Sequence, residues 1–293
     1  MIEVRGLRKA YAEVEAVRGI DLEVERGEVF AFLGPNGAGK TTTVEILEGY
    51  RRRSAGEVAV LGVDPAHPSR EWRARVGIVL QSAKPDPYLT VRETVAEYAG
   101  YYPSPRPVEE TIDRVGLSEN ADKRVGKLSG GQQRRLDVAL ALIGDPELVF
   151  LDEPTTGFDP SARRNAWQLI SGLRDLGKTV FLTTHYMDEA QELADRVAII
   201  RKGEIVAQGS PGELGGRDLR CEIRFGLPAG VSPADLPVEA RVEDGRAMVV
   251  TERPLQPLNA LTGWALERGY ELPDLEVERP SLEDVYLELT EET

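Results

Sequence analysis

The sequence is poor in the residues that staple or metallate small proteins. Among 293 residues there is one cysteine, Cys221, and there are two histidines, His67 and His185. A disulfide within the chain is impossible, and cysteine clusters or histidine-rich metal sites are excluded. Long apolar runs are also missing. The longest, VFAFL at 29–33 and VALALI at 138–143, fall far short of the roughly 20 residues a membrane-spanning helix needs. The opening MIEVRGLRK holds no stretch of signal-peptide length. Positive charge is in deficit, with 36 Lys and Arg against 50 Asp and Glu, a formal −14. That balance argues against general affinity for nucleic acid or an anionic membrane surface. A cytoplasmic protein is expected, without a nucleic-acid partner and without direct membrane insertion, reaching any membrane through a partner. The 41% apolar content suffices for a sizeable core.

The charge is uneven. Residues 216–293 carry 8 basic and 17 acidic side chains, whereas residues 1–215 carry 28 and 33. Turn-formers cluster at Gly209, Ser210, Pro211 and Gly212, and again at Gly215 and Gly216. This break predicts two domains, 1–213 and a small acidic accessory domain at 214–293. In the first, alternating strands are expected at 2–4 and 20–24. Short doubly apolar strands are expected at 29–33, 76–80, 148–151, 180–183 and 197–200. Helices are expected from within Gly39, Lys40 and Thr41 to about Glu48, across most of 90–143, and over 161–175. Strands alternating with helices imply an α/β fold with a largely parallel sheet. The second domain reads as α+β. Strands are expected at 220–225 and 247–251, a turn at Glu243, Asp244 and Gly245, and an amphipathic helix over 258–268 stopped by Gly269. A terminal helix is expected over 282–289, opened by Ser281 with Asp284 three residues on.

One segment fits G-x-x-x-x-G-K-[ST] in full: Gly34, Pro35, Asn36, Gly37, Ala38, Gly39, Lys40, Thr41, followed by Thr42. A strand precedes it and a helix follows. Glycines let backbone N–H groups converge on phosphate oxygens, and the helix N-terminus adds partial positive charge. Lys40 is suited to the β- and γ-phosphates, and the Thr41 hydroxyl to Mg²⁺. A second apolar strand ends in Asp152 and Glu153. It delivers two acids to its C-terminal end, where open α/β sheets bind ligands. Asp152 can hold Mg²⁺ through water, and Glu153 can polarise the water that attacks a γ-phosphate.

A second anion cradle follows from Leu128, Ser129, Gly130, Gly131 and Gln132 at the start of a helical run. One nucleotide rarely needs two cradles from distant segments, so this one is expected to close on the nucleotide of another subunit.

At this point the sequence closely resembles the nucleotide-binding subunits of ABC transporters over residues 1 to about 210. The resemblance rests on motifs in family order: GPNGAGKT at 34–41, Gln81 after a strand, LSGGQ at 128–132, LVFLDEP at 148–154, GFDP at 157–160 and His185 after TVFLTT. It implies a P-loop NTPase core with an antiparallel β subdomain and a helical signature subdomain at about 85–143. Tyr11 resembles the aromatic that stacks on adenine. Gln81 resembles the glutamine that senses Mg²⁺ and couples the ATP site to the membrane subunit. Asp159 resembles the aspartate that connects the two sites of a dimer, and His185 the histidine that contacts the γ-phosphate. By residue type alone, each has an ordinary reading: a core or exposed tyrosine, a surface glutamine, an Asp-Pro turn, a hydrogen-bonding histidine. Phe158 stands where the family usually has leucine, which predicts altered packing near Asp159. His67 has no such company and reads as surface.

The resemblance implies a head-to-tail homodimer that binds ATP and Mg²⁺, hydrolyses ATP, and drives an integral membrane permease from the cytoplasmic face of the membrane. The ending PSLEDVYLELT at 280–290 is similar to that of ATPase subunits of exporters with a separate permease, whose substrates include drugs, antibiotics, sodium ions and lipid or haem-related cargo. The alternatives are an importer ATPase with a regulatory tail and a soluble ABC ATPase acting on ribosomes or DNA. A longer many-stranded tail would mark the former. Tandem ATPase halves, heptads or basic patches would mark the latter, and none occurs in this sequence.

Overall fold

Short apolar runs build the centre of the molecule. The computed structural model describes the chain except residues 80–84, 216–220, 229, 244–245, 279–282, 284–285 and 287–293. Gln81 and the helix expected over 282–289 therefore lie outside the described residues, apart from Glu283 and Tyr286. The backbone divides into two compact units, Met1–Pro211 and Gly212–Thr293. The first runs β1 (Ile2–Tyr11), β2 (Val14–Val24), β3 (Val29–Leu33), α1 (Lys40–Leu47), β4 (Ala55–Val60), α2 (Arg70–Ala74), β5 (Val76–Val79), α3 (Val91–Ala99), α4 (Val108–Arg114) and α5 (Gly130–Leu142). It continues through β6 (Leu148–Asp152), α6 (Pro160–Asp175), β7 (Thr179–Thr184), α7 (Met187–Leu193), β8 (Arg196–Arg201) and β9 (Glu204–Gly209). A short helix, α8 (Pro211–Gly215), spans the division.

The main sheet has the order β5-β6-β7-β3-β8-β9. Its first five strands are parallel and β9 is antiparallel. Doubly buried parallel strands require apolar residues on both faces, and all five residues of β3 are buried. Phe181 fixes the centre, its ring 5.6 Å from those of Phe30 and Phe150 and 5.8 Å from that of Phe32. One ring on β7 thus ties β3 and β6 together and aligns their C-terminal ends. A second sheet, β2-β1-β4, is antiparallel. The expected α/β class, with its antiparallel and helical additions, is what the chain adopts.

The second unit is an antiparallel sheet, β11-β12-β10-β13. Its strands are β10 (Cys221–Gly226), β11 (Arg241–Glu243), β12 (Arg246–Thr251) and β13 (Glu276–Glu278), with α9 (Leu255–Arg268) after β12. Alternation puts Ile223, Phe225, Ala247 and Val249 on one face, where they pack with Leu261 of α9. Gly269 ends α9 in the left-handed conformation, φ +66°.

Four strands escape the sequence pattern. β4 and β9 are only partly buried, and β13 is wholly exposed, so they lack the apolar signal. β11 is three residues long. No helix among the described residues is long and apolar enough to cross a membrane.

Candidate functional site

The loop between β3 and α1 packs directly on backbone. A Cβ at Gly34 would stand 2.4 Å from the Ile200 carbonyl oxygen, and one at Gly39 2.6 Å from that of Ala16. Gly39 also needs φ +112°, a region closed to most side chains. As N-cap it supplies no side-chain hydrogen bond, so the first turn of α1 keeps its capacity for an anion. Asn36, Gly37 and Thr41 are exposed, Pro35 and Thr42 half-buried, and Ala38 buried. Lys40 is buried, and its Nζ donates to the carbonyls of Gly34 (2.6 Å) and Pro35 (3.3 Å). Burial lowers its pKa, and the charges of Glu153 and Asp152 push it back up. Tyr11, at the end of β1, reaches the same loop, its hydroxyl 3.5 Å from Thr42 Oγ1. Lys9 and Arg51 lie over its ring at 4.9 and 5.2 Å.

Parallel pairing sets the acids. Asp152 ends β6 opposite Thr183 of β7. Thr183 Oγ1 donates to Asp152 Oδ1 (2.5 Å) and accepts from the Glu153 N–H (3.0 Å). That N–H also donates to the Thr183 carbonyl (3.2 Å). Glu153 leaves the strand with φ +43°, a left-handed conformation that costs a non-glycine residue about 1–3 kcal/mol. Its Oε1 lies 3.4 Å from His185 Nδ1 and 4.0 Å from Lys40 Nζ. Its Oε2 accepts from Thr156 Oγ1 (3.0 Å). The structure therefore gathers Lys40, Asp152, Glu153 and His185 at the C-terminal ends of β3, β6 and β7.

The second cradle stands on α5. Ser129 caps the helix in a reciprocal box. Its Oγ accepts from the Gln132 N–H (3.3 Å), and Gln132 Oε1 accepts from the Ser129 N–H (3.1 Å). Lys123 Nζ also donates to Gln132 Oε1 (3.1 Å), and Gln132 Nε2 donates to Asn120 Oδ1 (3.1 Å). Ser129 and Gly130 are exposed. Asp159 caps α6, accepting from the N–H groups of Ser161 (2.8 Å) and Ala162 (2.9 Å), with Pro160 at the first helical position. Phe158 is half-buried beside it, and His67 is exposed.

Three residues to which the motifs assign no role stand against these acids: Thr183, Thr156 and Arg134, whose guanidinium donates to the carbonyls of Pro154 and Asp152. The strand register could have found Thr183, since it places Asp152 and Thr183 side by side. Arg134 is in phase with Val138 and Ala141 on the buried face of α5, a signal the neighbouring Arg135 obscures. Among the described residues no group of three or more His, Cys, Asp or Glu could hold a metal ion.

Comparison with known proteins gives matches over nearly the whole chain. A family model described as ABC transporter matches residues 17–156. A second, described as ABC transporter domain-containing protein-like, C-terminal domain, matches residues 221–281. The chain is 37% identical to Daunorubicin resistance ATP-binding protein DrrA3 of Streptomyces coeruleorubidus, over 99% of this chain and 95% of that protein. It is 40% identical to Nod factor export ATP-binding protein I of Ralstonia nicotianae, over 99% and 94%. Among solved structures, the ATP-binding cassette MJ0796 in a dimeric post-hydrolysis state with ADP and Pi superposes with a TM-score of 0.63 at 26% identity, covering 72% of this chain and 98% of that one. The cassette cbiO1 from Clostridium perfringens, part of an ABC transporter complex, gives 0.65 at 30%, covering 73% and 89%.

Proposed function

The chain belongs to the ATP-binding subunits of ABC transporters, and from that premise we propose that it is the ATPase of an exporter whose permease is a separate polypeptide. Two relatives are named for drug resistance and Nod factor export, which favours export over the importer and non-transport alternatives. The observation that carries the catalytic reading is the Glu153 carboxylate, set 3.4 Å from His185 and 4.0 Å from Lys40. In this reading Gly34–Thr42 cradles the phosphates of ATP, Lys40 leaves its two carbonyl partners for the β- and γ-phosphates, and Tyr11 flanks the base. Glu153 takes the proton of the attacking water, and His185 orients on the γ-phosphate.

The donor set suits magnesium. Thr41 offers a hydroxyl and Asp152 a carboxylate whose Oδ1 already takes one hydrogen bond from Thr183, both hard oxygen ligands. Gln81 completes the assignment by family likeness. Mg²⁺, when bound, supplies charge neutralisation at the phosphates.

A second copy, head to tail, places its Ser129–Gln132 cradle over the γ-phosphate and its Asp159 near the first copy's site. The pair works at the cytoplasmic face of the membrane, held there by the permease. Glu153→Gln tests the catalytic part. Steady-state hydrolysis is expected to fall at least about 100-fold, while an ATP-dependent dimer accumulates in size-exclusion chromatography. Wild-type turnover in this variant refutes Glu153 as base. Affinity capture from membranes tests the partner: an integral membrane protein is expected, and ribosomes or DNA overturn the transport reading.

A further inference from the structure

A buried guanidinium brackets the proposed base. Arg134 keeps only 9% of its surface exposed, and burial on that scale is costly unless its donors are satisfied. Its Nε donates to the Pro154 carbonyl (3.2 Å) and one Nη to the Asp152 carbonyl (3.3 Å). The other Nη lies 4.0 Å from Asp137 one turn along α5. The two carbonyls are those immediately before and after Glu153. From the opposite side, Thr183 of β7 takes the Glu153 N–H twice, at 3.0 and 3.2 Å. The backbone between these holds is the one at φ +43°.

An acid in a strained conformation stays there only if its surroundings over-determine it. Here β7 fixes the N–H and α5 fixes the flanking carbonyls. A guanidinium suits the second task because its rigid planar fork presents donors on separate nitrogens in fixed relative positions, whereas a lysine ammonium donates from a single atom on a flexible stem. The same helix opens with Ser129, Gly130 and Gly131. The residue that holds the acid therefore belongs to the element that carries the second cradle.

We propose that Arg134 is the positioning residue for Glu153: it holds the loop 152–154 so that the carboxylate faces Lys40 and His185, and it ties the signature helix to that carboxylate within one subunit. The proposal rests on the reading of Glu153 as base. It predicts that losing the guanidinium misplaces the carboxylate without emptying the nucleotide site.

The test compares the purified full-length wild type with R134A, R134K, E153Q and R134A/E153Q, measuring kcat and KM for ATP together with thermal unfolding. R134A should lose roughly 10- to 100-fold in kcat, the scale of a misplacement near 1 Å, with KM changed by no more than about twofold. R134K should recover little of the loss. A cleft of about 650 Å³ lined by Arg134, Asp137 and Glu153 admits a small cation. Millimolar guanidinium, against sodium at equal ionic strength, should therefore raise the turnover of R134A and leave E153Q unchanged. The double variant should be no slower than E153Q alone, because residues acting as a unit do not add. Full kcat in R134A or R134K beside a dead E153Q overturns the proposal and leaves the base intact. So does a loss shared equally with ATP affinity and untouched by guanidinium. Should R134A fail to fold, R134K, which keeps length and charge, decides by the same kcat and KM criteria. An active E153Q removes the base and the proposal with it.

Discussion

The two cradles begin alike, with glycines at a helix N-terminus, and differ in why the glycines are there. In the phosphate loop the chain's own backbone demands them: a Cβ at Gly34 or Gly39 would collide with a carbonyl at 2.4 or 2.6 Å. At Gly130 and Gly131 a Cβ would meet nothing within 4 Å among the described residues, and neither has a positive φ. The caps differ too, since Gly39 leaves α1 uncapped whereas Ser129 and Gln132 cap α5 with each other. The first cradle has Lys40, Asp152, Glu153 and His185 of its own chain beside it. The second shares a cleft with Asp159 of its own chain. Glycine in the middle of a helix costs about 0.5–1 kcal/mol relative to alanine, and nothing in the described part of this chain requires the two open glycines in the first turn of α5.

The sharpest way to break that contrast is Lys40→Met. It removes the one cation buried in the first cradle, so ATP binding should weaken in the isolated subunit and turnover should fall about 100- to 1,000-fold. Nucleotide titration and steady-state kinetics read both. Hydrolysis near the wild-type rate would show that the first cradle is not where the chemistry occurs.

A matched pair of alanines comes next. Gly39→Ala combines the 2.6 Å clash with φ +112° and should destabilise the fold by about 2 kcal/mol or more. Gly131→Ala should leave thermal stability equal or raised by up to about 1 kcal/mol. It should leave ATP binding by single subunits unchanged and weaken the ATP-dependent dimer seen in sedimentation. If Gly131→Ala instead lowers the melting temperature and spares the dimer, its glycine serves the chain's own fold and the contrast fails.

Most of this architecture was legible because it is written in unambiguous codes. Doubly apolar runs gave β3, β6, β7 and β8, the glycine spacing gave the phosphate loop, and Ser129 before two glycines gave the start of α5. What escaped was geometry across strands and faces. Thr183 matters only through its register with Asp152. Arg134 matters only because the loop after β6 turns its carbonyls toward α5, which no pattern along the chain records. Strands β4, β9 and β13 carry too few buried residues to declare themselves. Asp159 caps α6 within its own chain, which leaves its expected place between two sites a matter for the dimer.

The far ends of the two cradle helices give the last and smallest test. Ile143 ends α5, but Glu48 ends α1, only 7% exposed. A carboxylate there opposes the negative end of the helix dipole. Burial, helped by the nearby charges of Asp152 and Glu45, pushes its pKa up to about 8. Unfolded, the same group titrates near 4.5. Between about pH 4.5 and pH 8 the folded chain keeps a proton that the unfolded chain has lost, so stability falls as pH rises through that window and levels above it. Glu48→Gln should abolish this slope, stabilising the chain by about 1 kcal/mol or more near pH 8 and leaving it unchanged near pH 4. Denaturant unfolding of the full chain at the two pH values decides. An equal gain at both would assign the effect to shape. A loss near pH 8 would mean that Glu48 is ionised and stabilising in the folded chain, so that the helix behind the first cradle brings a negative charge near Asp152 where the helix behind the second brings the guanidinium of Arg134.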